Sequence, residues 1–187
     1  MQSFNYTKPA SLADAAAALS GAADGTLLAG GMTLLPTMKA RLASPSDLVD
    51  LGGVAELKGI SVSGGNVTIG AMTRHQDVAD SADVQGAIPA LAALAGGIGD
   101  QAVRNRGTMG GSVANNDPAA DYPAAVLGLG ATVTTNSRSI AADDFFTGMF
   151  ETALAEGEIV TSISFPQAEI AAYVKFPNPA SRYAMVG

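Results

Sequence analysis

Two glycine pairs, each placed just before a predicted helix, constrain this chain more than any other feature. The first lies in residues 29–36 (AGGMTLLP), between a predicted strand at 26–29 and a predicted helix at 34–43; the second lies in residues 108–115 (TMGGSVAN). Glycine permits a positive φ and lets a ligand approach the backbone without a Cβ in the way. Because N–H groups at a helix start are unpaired and partially positive, each segment predicts a cradle for an anion, most often a phosphate.

Neither segment matches the standard nucleotide fingerprints, the Walker A sequence or G-x-G-x-x-G. Taken alone, the first is better explained as an ordinary strand-to-helix turn, since glycine punctuates turns everywhere. Together, two glycine pairs with flanking hydroxyls favour one dinucleotide held between them, because a diphosphate has two charged groups. Asp121, on a helix predicted to begin at Pro118, could accept hydrogen bonds from a ribose hydroxyl or from loop amides. The alternative is that Asp121 is an acid near a helix start that favours the helix dipole.

The composition excludes several other classes of function. The chain has 187 residues, enough for one large domain or two small ones. It contains no cysteine, which excludes disulfides, thiolate zinc sites, cysteine nucleophiles and cysteine-ligated iron–sulfur clusters within it. Its net charge of -7, without a basic stripe, argues against nucleic acid or an anionic membrane as the main partner. No apolar stretch reaches the ~20 residues of a membrane helix, so we expect a cytoplasmic protein without a membrane span.

Periodicity and turn residues predict a chain of mixed helices and strands. Ser11 and Asp14 predict a capping box for a helix over 12–20 that ends at Gly21. Alternating residues on either side of 64–66 (GGN) predict a hairpin. Further predicted elements are strands at 47–51, 131–135, 138–140, 158–165 and 171–176, and helices at 74–81, 84–95 and 117–129. Residues 96–116 are predicted to be a long ordered loop, a length usually associated with function.

Four stretches share a pattern with one known family. They are residues 29–51 (AGGMTLLPTMKARLASPSDLVDL), 68–81 (TIGAMTRHQDVADS), 104–133 (RNRGTMGGSVANNDPAADYPAAVLGLGATV) and 157–166 (GEIVTSISFP). In these residues the chain resembles the FAD-binding medium subunit of the molybdenum hydroxylases, the group that contains xanthine dehydrogenase and aerobic carbon monoxide dehydrogenase. The segment 174–187 (VKFPNPASRYAMVG) also fits, so the similarity extends from Phe4 to the end of the chain.

The resemblance implies an α+β fold, the FAD-binding fold of the vanillyl-alcohol-oxidase (PCMH) type, with FAD extended between two α/β subdomains. We expect the first FAD-binding subdomain at 1–54, the second at 55–176, and the start of a truncated C-terminal domain at 177–187. Family members continue beyond this point into a C-terminal α+β domain. The absence of cysteine also excludes the additional iron–sulfur cluster of the benzoyl-CoA-reducing branch.

The resemblance also implies which residues contact FAD. Residues 29–36 are similar to the first pyrophosphate loop and residues 108–112 to the second. Single contacts are implied for Ile98, for Asp121, for the backbone of Val160 on the adenine side and for Lys175 near the flavin end. The residues implied in full are Ala29, Gly30, Gly31, Met32, Thr33, Leu34, Leu35, Pro36, Ile98, Thr108, Met109, Gly110, Gly111, Ser112, Asp121, Val160 and Lys175.

In this family the medium subunit takes electrons from the [2Fe–2S] clusters of a small subunit and passes them to an external acceptor, while a large molybdenum-cofactor subunit oxidises the substrate. The resemblance therefore implies a hetero-oligomer with FAD in this chain. Two alternatives are a free-standing flavoenzyme similar to the enolpyruvyl-sugar reductase, and a non-redox scaffold for subunit assembly. We nominate no catalytic side chain, because in such a protein the cofactor carries the chemistry and the chain supplies binding and orientation.

Three further polar residues have open interpretations. The single histidine, His75, lacks neighbouring ligands in metal spacing, so we expect a structural or surface role rather than a metal site. Arg104 and Arg106 flank the second glycine segment. Either could pair with a phosphate or with a partner carboxylate, or could simply anchor a long loop.

Overall fold

The computed structural model describes residues 1–187 and shows two larger sheets, of three and five strands, with helices packed on them, and two further two-stranded sheets. The helices are α1 (Leu12–Ser20), α2 (Leu34–Lys39), α3 (His75–Asp80), α4 (Ala82–Ala87), α5 (Pro89–Gly96), α6 (Gln101–Arg104), α7 (Met109–Asn115), α8 (Tyr122–Gly128) and α9 (Ala142–Phe145). The strands are β1 (Asn5–Thr7), β2 (Gly25–Leu28), β3 (Asp47–Asp50), β4 (Ile60–Ser63), β5 (Asn66–Gly70), β6 (Thr132–Thr135), β7 (Ser139–Ala141), β8 (Phe146–Gly148), β9 (Glu151–Thr152), β10 (Val160–Pro166), β11 (Phe176–Pro177) and β12 (Ala184–Val186). No helix is both long and apolar enough to cross a membrane.

The first sheet is parallel, with the strand order β1-β3-β2. The predicted helix over 12–20 is confirmed as α1, and the Ser11 hydroxyl accepts a hydrogen bond from the Asp14 N–H at 3.1 Å. Its alanines let α1 approach the sheet closely, so that Ala15 is fully buried in a small apolar cluster with Val49 and Val54. This sheet and its helices place β2, and the first glycine segment after it, at one end of the strands.

The second sheet is antiparallel, with the strand order β4-β5-β10-β6-β7. The predicted hairpin is confirmed as β4 and β5, since Val62 pairs with Val67 and Ser63 with Asn66. Val67 and Ile69 alternate with half-buried neighbours and are themselves fully buried. Because side chains alternate between the two faces of a strand, one face of the sheet is directed toward the helices. A cluster of 23 buried residues forms the main core there.

Several helix predictions were wrong in their bounds. The helix predicted at 34–43 ends at Lys39, and Arg41 takes a positive φ of 61°. The single helix predicted at 84–95 is two helices, α4 and α5, because Pro89 starts a new helix at its first position. The helix predicted at 117–129 begins only at Tyr122, since the Asp117 carboxylate accepts a hydrogen bond from the Ala119 N–H and holds a local turn.

Two predictions of backbone type were also wrong. Residues 96–116 contain two capped helices rather than one loop: Asp100 caps α6 by accepting from the Val103 N–H at 2.8 Å, and Thr108 caps α7. Within the strand predicted at 171–176, only Phe176 belongs to a strand. The capping residues were visible in the sequence, but the glycines around them concealed two short helices.

A buried carboxylate ties the β6–β7 turn to the segment before β10. The side chain of Glu158 is only 2% exposed and accepts hydrogen bonds from the Arg138 guanidinium, the Thr135 and Ser137 hydroxyls and the Ala155 N–H. The Arg138 guanidinium, followed by the Ala155 N–H, holds the pKa of this carboxyl well below its usual value. The network therefore fixes the start of β10.

We expect Glu158→Ala to lower the melting temperature more than Arg138→Ala does. The first change removes the shared acceptor of four donor groups, of which the Thr135 hydroxyl and the Arg138 guanidinium keep another acceptor, the carbonyl oxygens of Arg138 and Ala153. The second change leaves Glu158 with the Thr135, Ser137 and Ala155 donors, and Arg138 is half exposed. Thermal unfolding followed by circular dichroism gives the melting temperatures of the two variants. Equal melting temperatures would show that the ion pair alone carries the network.

Candidate functional site

A single large cleft separates the two sheets. Its volume is about 1120 Å³, and its walls include β2, the first glycine segment, α7 and the start of β10. Cleft-shaped ligand sites are typically ~300–1,000 Å³ and mainly apolar with a few polar groups. The cleft therefore has room for a ligand of dinucleotide size.

The first glycine segment presents unpaired backbone donors. The N–H groups of Gly30, Gly31, Met32, Thr33 and Leu34 donate no hydrogen bond within the protein. Gly31 has a φ of 73°, which glycine adopts without strain. Thr33 precedes α2 but makes no side-chain cap, so its hydroxyl does not compete for these donors. Residues 30–34 therefore form a run of free amides at the edge of the cleft.

The second glycine segment is different from the prediction of a second set of free amides. Met109 and Gly110 donate their N–H groups to the carbonyl oxygens of Thr73 and Ala71, at 3.0 and 2.8 Å. Gly111 donates to the Thr108 hydroxyl, and Ser112 donates to the Thr108 carbonyl within α7. The expectation of two equivalent sets of free amides was therefore wrong, because the amides of this segment donate to oxygen atoms of the protein. The segment contributes hydroxyl groups and closely packed small residues to the cleft wall.

The two segments nevertheless lie against each other. A Cβ on Gly30 would overlap the carbonyl oxygen of Arg106 and lie 2.7 Å from the Cα of Gly107. A Cβ on Gly111 would lie 3.3 Å from the Cβ of Ala29. Residues some 80 positions apart in the chain are thus in direct contact at the edge of the cleft.

Most of the residues implied by the resemblance line the cleft. These are Ala29, Gly30, Gly31, Met32, Thr33, Leu34, Ile98, Thr108, Gly110, Gly111, Ser112, Asp121 and Val160. Leu35, Pro36, Met109 and Lys175 do not line it. Met109 is fully buried in the main core, where it packs beneath the second segment.

Asp121 and Lys175 form a buried ion pair beside the cleft. The Lys175 ammonium lies 2.8 Å from one Asp121 oxygen, and the side chains are 12% and 5% exposed. The Tyr173 hydroxyl donates to the other Asp121 oxygen at 2.6 Å, and the carboxylate raises the pKa of this phenol in addition to burial. Asp121 makes no side-chain cap on α8. Its carboxylate is therefore held by two side chains from the 173–175 segment rather than by a helix start.

Gly107 and His75 are among the lining residues of the cleft that sequence reasoning did not assign to the site. Gly107 is wedged between Gly30 and the imidazole, since a Cβ there would overlap His75 Nε2. Arg104 anchors its surroundings by donating to Gln76 and to the carbonyl oxygens of Ile98 and Gly99. The anchoring interpretation of Arg104 is thus confirmed. The only sequence feature that could have pointed to His75 is its position directly after Thr73 and Arg74, which follow β5.

His75 is a buried, neutral histidine. It is 5% exposed and packs against Tyr122 with ring centroids 5.3 Å apart. Burial, with a smaller contribution from the Arg104 charge, lowers the pKa of His75 to about 4. At neutral pH the ring is therefore uncharged.

We expect the stability of this chain to fall as the pH falls from 6.5 toward 4. His75 takes up a proton near pH 6.5 in the unfolded chain but only near pH 4 in the folded one, so protonation favours unfolding within this window. A shift of this size corresponds to about 3 kcal/mol at the low end. Urea unfolding between pH 7 and 4.5 measures it, and His75→Gln should remove most of this slope. An unchanged slope in the variant would contradict the assignment, because His75 is the only histidine.

Comparison with known proteins identifies the family. Residues 2–168 match the family model described as the FAD binding domain in molybdopterin dehydrogenase. The chain belongs to this FAD-binding family of the molybdenum hydroxylases. Because this match covers almost the whole chain, FAD is the cofactor that the cleft is expected to hold.

Curated relatives of the FAD family extend beyond this chain. The chain is 40% identical to the carbon monoxide dehydrogenase medium chain of Hydrogenophaga pseudoflava, over 98% of this chain and 67% of the relative. It is 37% identical to the glyceraldehyde dehydrogenase medium chain of Sulfolobus acidocaldarius, over 97% of this chain and 67% of the relative. The chain thus spans about two thirds of their length.

Solved structures of the FAD family share the same fold. One is carbon monoxide dehydrogenase from Hydrogenophaga pseudoflava, with a TM-score of 0.94 and 39% identity, over 98% of this chain and 67% of that one. Another is quinoline 2-oxidoreductase from Pseudomonas putida 86, with a TM-score of 0.94 and 37% identity, over 98% of this chain and 66% of that one. The mixed helix and sheet architecture predicted from the sequence is therefore confirmed.

The cleft fits FAD on physical grounds as well. FAD carries a diphosphate, and five free N–H groups in residues 30–34 form a cradle suited to an anion. The glycine contacts leave no side chain between this cradle and the second segment. The chain is an FAD-dependent oxidoreductase component.

Proposed function

We propose that this chain holds FAD extended across the cleft and passes electrons from the [2Fe–2S] clusters of a small partner subunit to an external acceptor. The observation that carries the proposal is the run of free amides at 30–34 facing the second glycine segment across a cleft of about 1120 Å³. When bound, FAD supplies the ability to accept single electrons and to release them as a pair. The chain's residues bind and orient it.

In this proposal the first segment binds the diphosphate and the second shapes the opposite wall. The N–H groups of residues 30–34 donate to phosphate oxygens, and the Thr108 and Ser112 side chains add hydroxyl groups. Ile98 and Val160 supply apolar and backbone contacts along the remainder of the cleft. The Asp121–Lys175 pair holds the 173–175 segment beside the site.

The finer features of the fold and assembly belong to the same proposal. We assign the two sheets to the two FAD-binding subdomains of the vanillyl-alcohol-oxidase (PCMH) type, meeting between β3 and β4. The relatives are named as medium chains and, in one case, as a subunit of a dehydrogenase complex from Paenarthrobacter nicotinovorans. These names support a hetero-oligomer with a large molybdenum-cofactor subunit and a small iron–sulfur subunit, in the cytoplasm.

The test uses the assembled complex before and after FAD is removed with a mild chaotrope. We expect reducing substrate to bleach the iron–sulfur absorbance in both forms, while reduction of an external acceptor is lost without FAD and returns when FAD is restored. Undiminished acceptor reduction by the FAD-free complex would overturn the proposed role. Flavin reduction by NADPH in the isolated chain, with an enolpyruvyl sugar as acceptor, would instead support the free-standing flavoenzyme.

A further inference from the structure

His75 and Tyr122 leave polar atoms unpaired in the interior. His75 Nδ1 and the Tyr122 hydroxyl are buried without a hydrogen-bond partner, and their rings are neighbours with centroids 5.3 Å apart. Neither ring nitrogen of His75 makes a hydrogen bond within the protein. A buried polar group without a partner costs about 1–3 kcal/mol, so a histidine kept in this state points to a partner from outside the chain.

The imidazole is placed where a ligand in the cleft can reach it. His75 lines the cleft, and Nε2, unlike Nδ1, is not fully buried. Nε2 lies against Gly107, whose other side touches Gly30 at the edge of the free amides. Gly107 thus separates Nε2 from Gly30 by no more than a glycine backbone, so a ligand that lies along residues 30–34 passes close to the ring. The ring is therefore directed from the core toward the place where the two glycine segments meet.

We propose that His75 is a cofactor-contacting residue, whose Nε2–H donates a hydrogen bond to a diphosphate oxygen of FAD. The inference rests on the proposed placement of FAD in the cleft. A neutral imidazole has one N–H donor and one acceptor nitrogen. We assign Nδ1 as the acceptor nitrogen, bridged to the Tyr122 hydroxyl through one buried water, because the two atoms share no direct hydrogen bond. Tyr122 then fixes the tautomer that carries hydrogen on Nε2.

Burial makes the imidazole a neutral hydrogen-bond donor rather than a cation. Burial and the Arg104 charge keep the ring uncharged at neutral pH, so it adds a directed hydrogen bond without a permanent positive charge beneath the glycine segments. A bond to a charged acceptor is worth about 1.5–3 kcal/mol, which corresponds to at least about tenfold in affinity. This contribution adds to that of the free amides at residues 30–34.

The first test compares two probes on the FAD-free complex, ADP, which carries a diphosphate, and adenosine, which does not. We expect His75→Leu to weaken ADP and FAD by about tenfold or more and to leave adenosine unchanged. His75→Gln, which places an amide N–H near the Nε2 position, should restore most of the ADP affinity. Equal losses for ADP and adenosine would show a merely structural residue, and no loss for ADP would also overturn the proposal.

The second test needs no variant, because His75 is the only histidine in the chain. Diethyl pyrocarbonate modifies accessible imidazole nitrogens, and peptide mass spectrometry reports its addition to His75. We expect ADP to slow this modification and adenosine to leave it unchanged. The same rate with both probes would overturn the contact.

The failure of the His75 contact can be distinguished from the failure of the FAD placement. If ADP binding is weakened by Gly30→Ala but not by His75→Leu, the contact fails while the placement of FAD stands. If neither change weakens ADP binding, the placement itself fails.

Discussion

Gly30→Ala will sharply lower FAD retention. The added Cβ would overlap the Arg106 carbonyl oxygen and lie 2.7 Å from the Gly107 Cα, and both neighbours are backbone atoms that cannot rotate away. The two segments must then separate, which opens the cradle. Backbone shifts forced by an added methyl group cost about 1–3 kcal/mol, so we expect FAD affinity to fall by about a hundredfold. Flavin content after purification and the affinity of the FAD-free protein for added FAD measure the effect.

Gly128→Ala is the matched control. Gly128 lies within α8, has no positive φ, and an added Cβ there meets nothing within 4 Å. Alanine is the better helix former, so this variant should keep its flavin and its stability. Normal flavin content in both variants would mean that the segments do not need to touch.

The structure changes which glycine is expected to matter most. From the sequence, replacing Gly31 or Gly111 with a β-branched residue should lower FAD occupancy far more than His75→Ala. Gly31 still requires its φ of 73°, but a Cβ on Gly111 would first meet the side-chain oxygen of Thr108 at 2.9 Å. A side chain can move where a backbone cannot. The strongest constraint is therefore at Gly30, and no local pattern distinguishes it from its neighbour.

Local signals predicted those parts of the fold that local chemistry determines. α1 has its cap and its alanines in sequence, and the β4–β5 hairpin has its glycine turn and alternating strands. The glycine segments were recognised because their composition is unusual. Their contact depends on residues some 80 positions apart, and the direction of each amide depends on which carbonyl lies opposite. Thr73 and Ala71 accept the amides of the second segment only because β5 ends beside it.

The 171–176 segment shows the opposite failure, an apolar pattern without a partner strand. Apolar side chains at Tyr173 and Val174 suggested a strand, yet only Phe176 joins a ladder. The segment is held instead by side chains, because Tyr173 and Lys175 both bind Asp121. Period-two patterns indicate a half-buried strand only where another strand is available. Here the Asp121 carboxylate, rather than a neighbouring strand, holds the segment in place.

Asp121→Asn will destabilise this chain by about 3 kcal/mol, because removing one partner of a buried ion pair leaves an uncompensated charge. The Lys175 side chain is only 12% exposed, and the remaining hydrogen bond of its ammonium is to the Gly97 carbonyl oxygen at 3.2 Å. Lys175→Met should cost a similar amount, since it leaves the buried Asp121 carboxylate with Tyr173 alone. Urea unfolding at pH 7 measures both. Lys39→Met and Asp144→Asn, at exposed positions without recorded side-chain bonds, are the controls and should change little.

The double variant Asp121→Asn/Lys175→Met decides between a paired charge and two independent packing losses. With both charges gone, Tyr173 can still donate to the amide oxygen of the asparagine, and methionine fills the space of the lysine stem. Replacing a buried ion pair with neutral groups of similar size is often close to neutral, so the double variant should be more stable than either single one. Destabilisations that simply add would contradict the pairing. Recovery of stability without recovery of FAD affinity would further show that FAD binding needs the two charges, whereas the folded structure needs only side chains of that size.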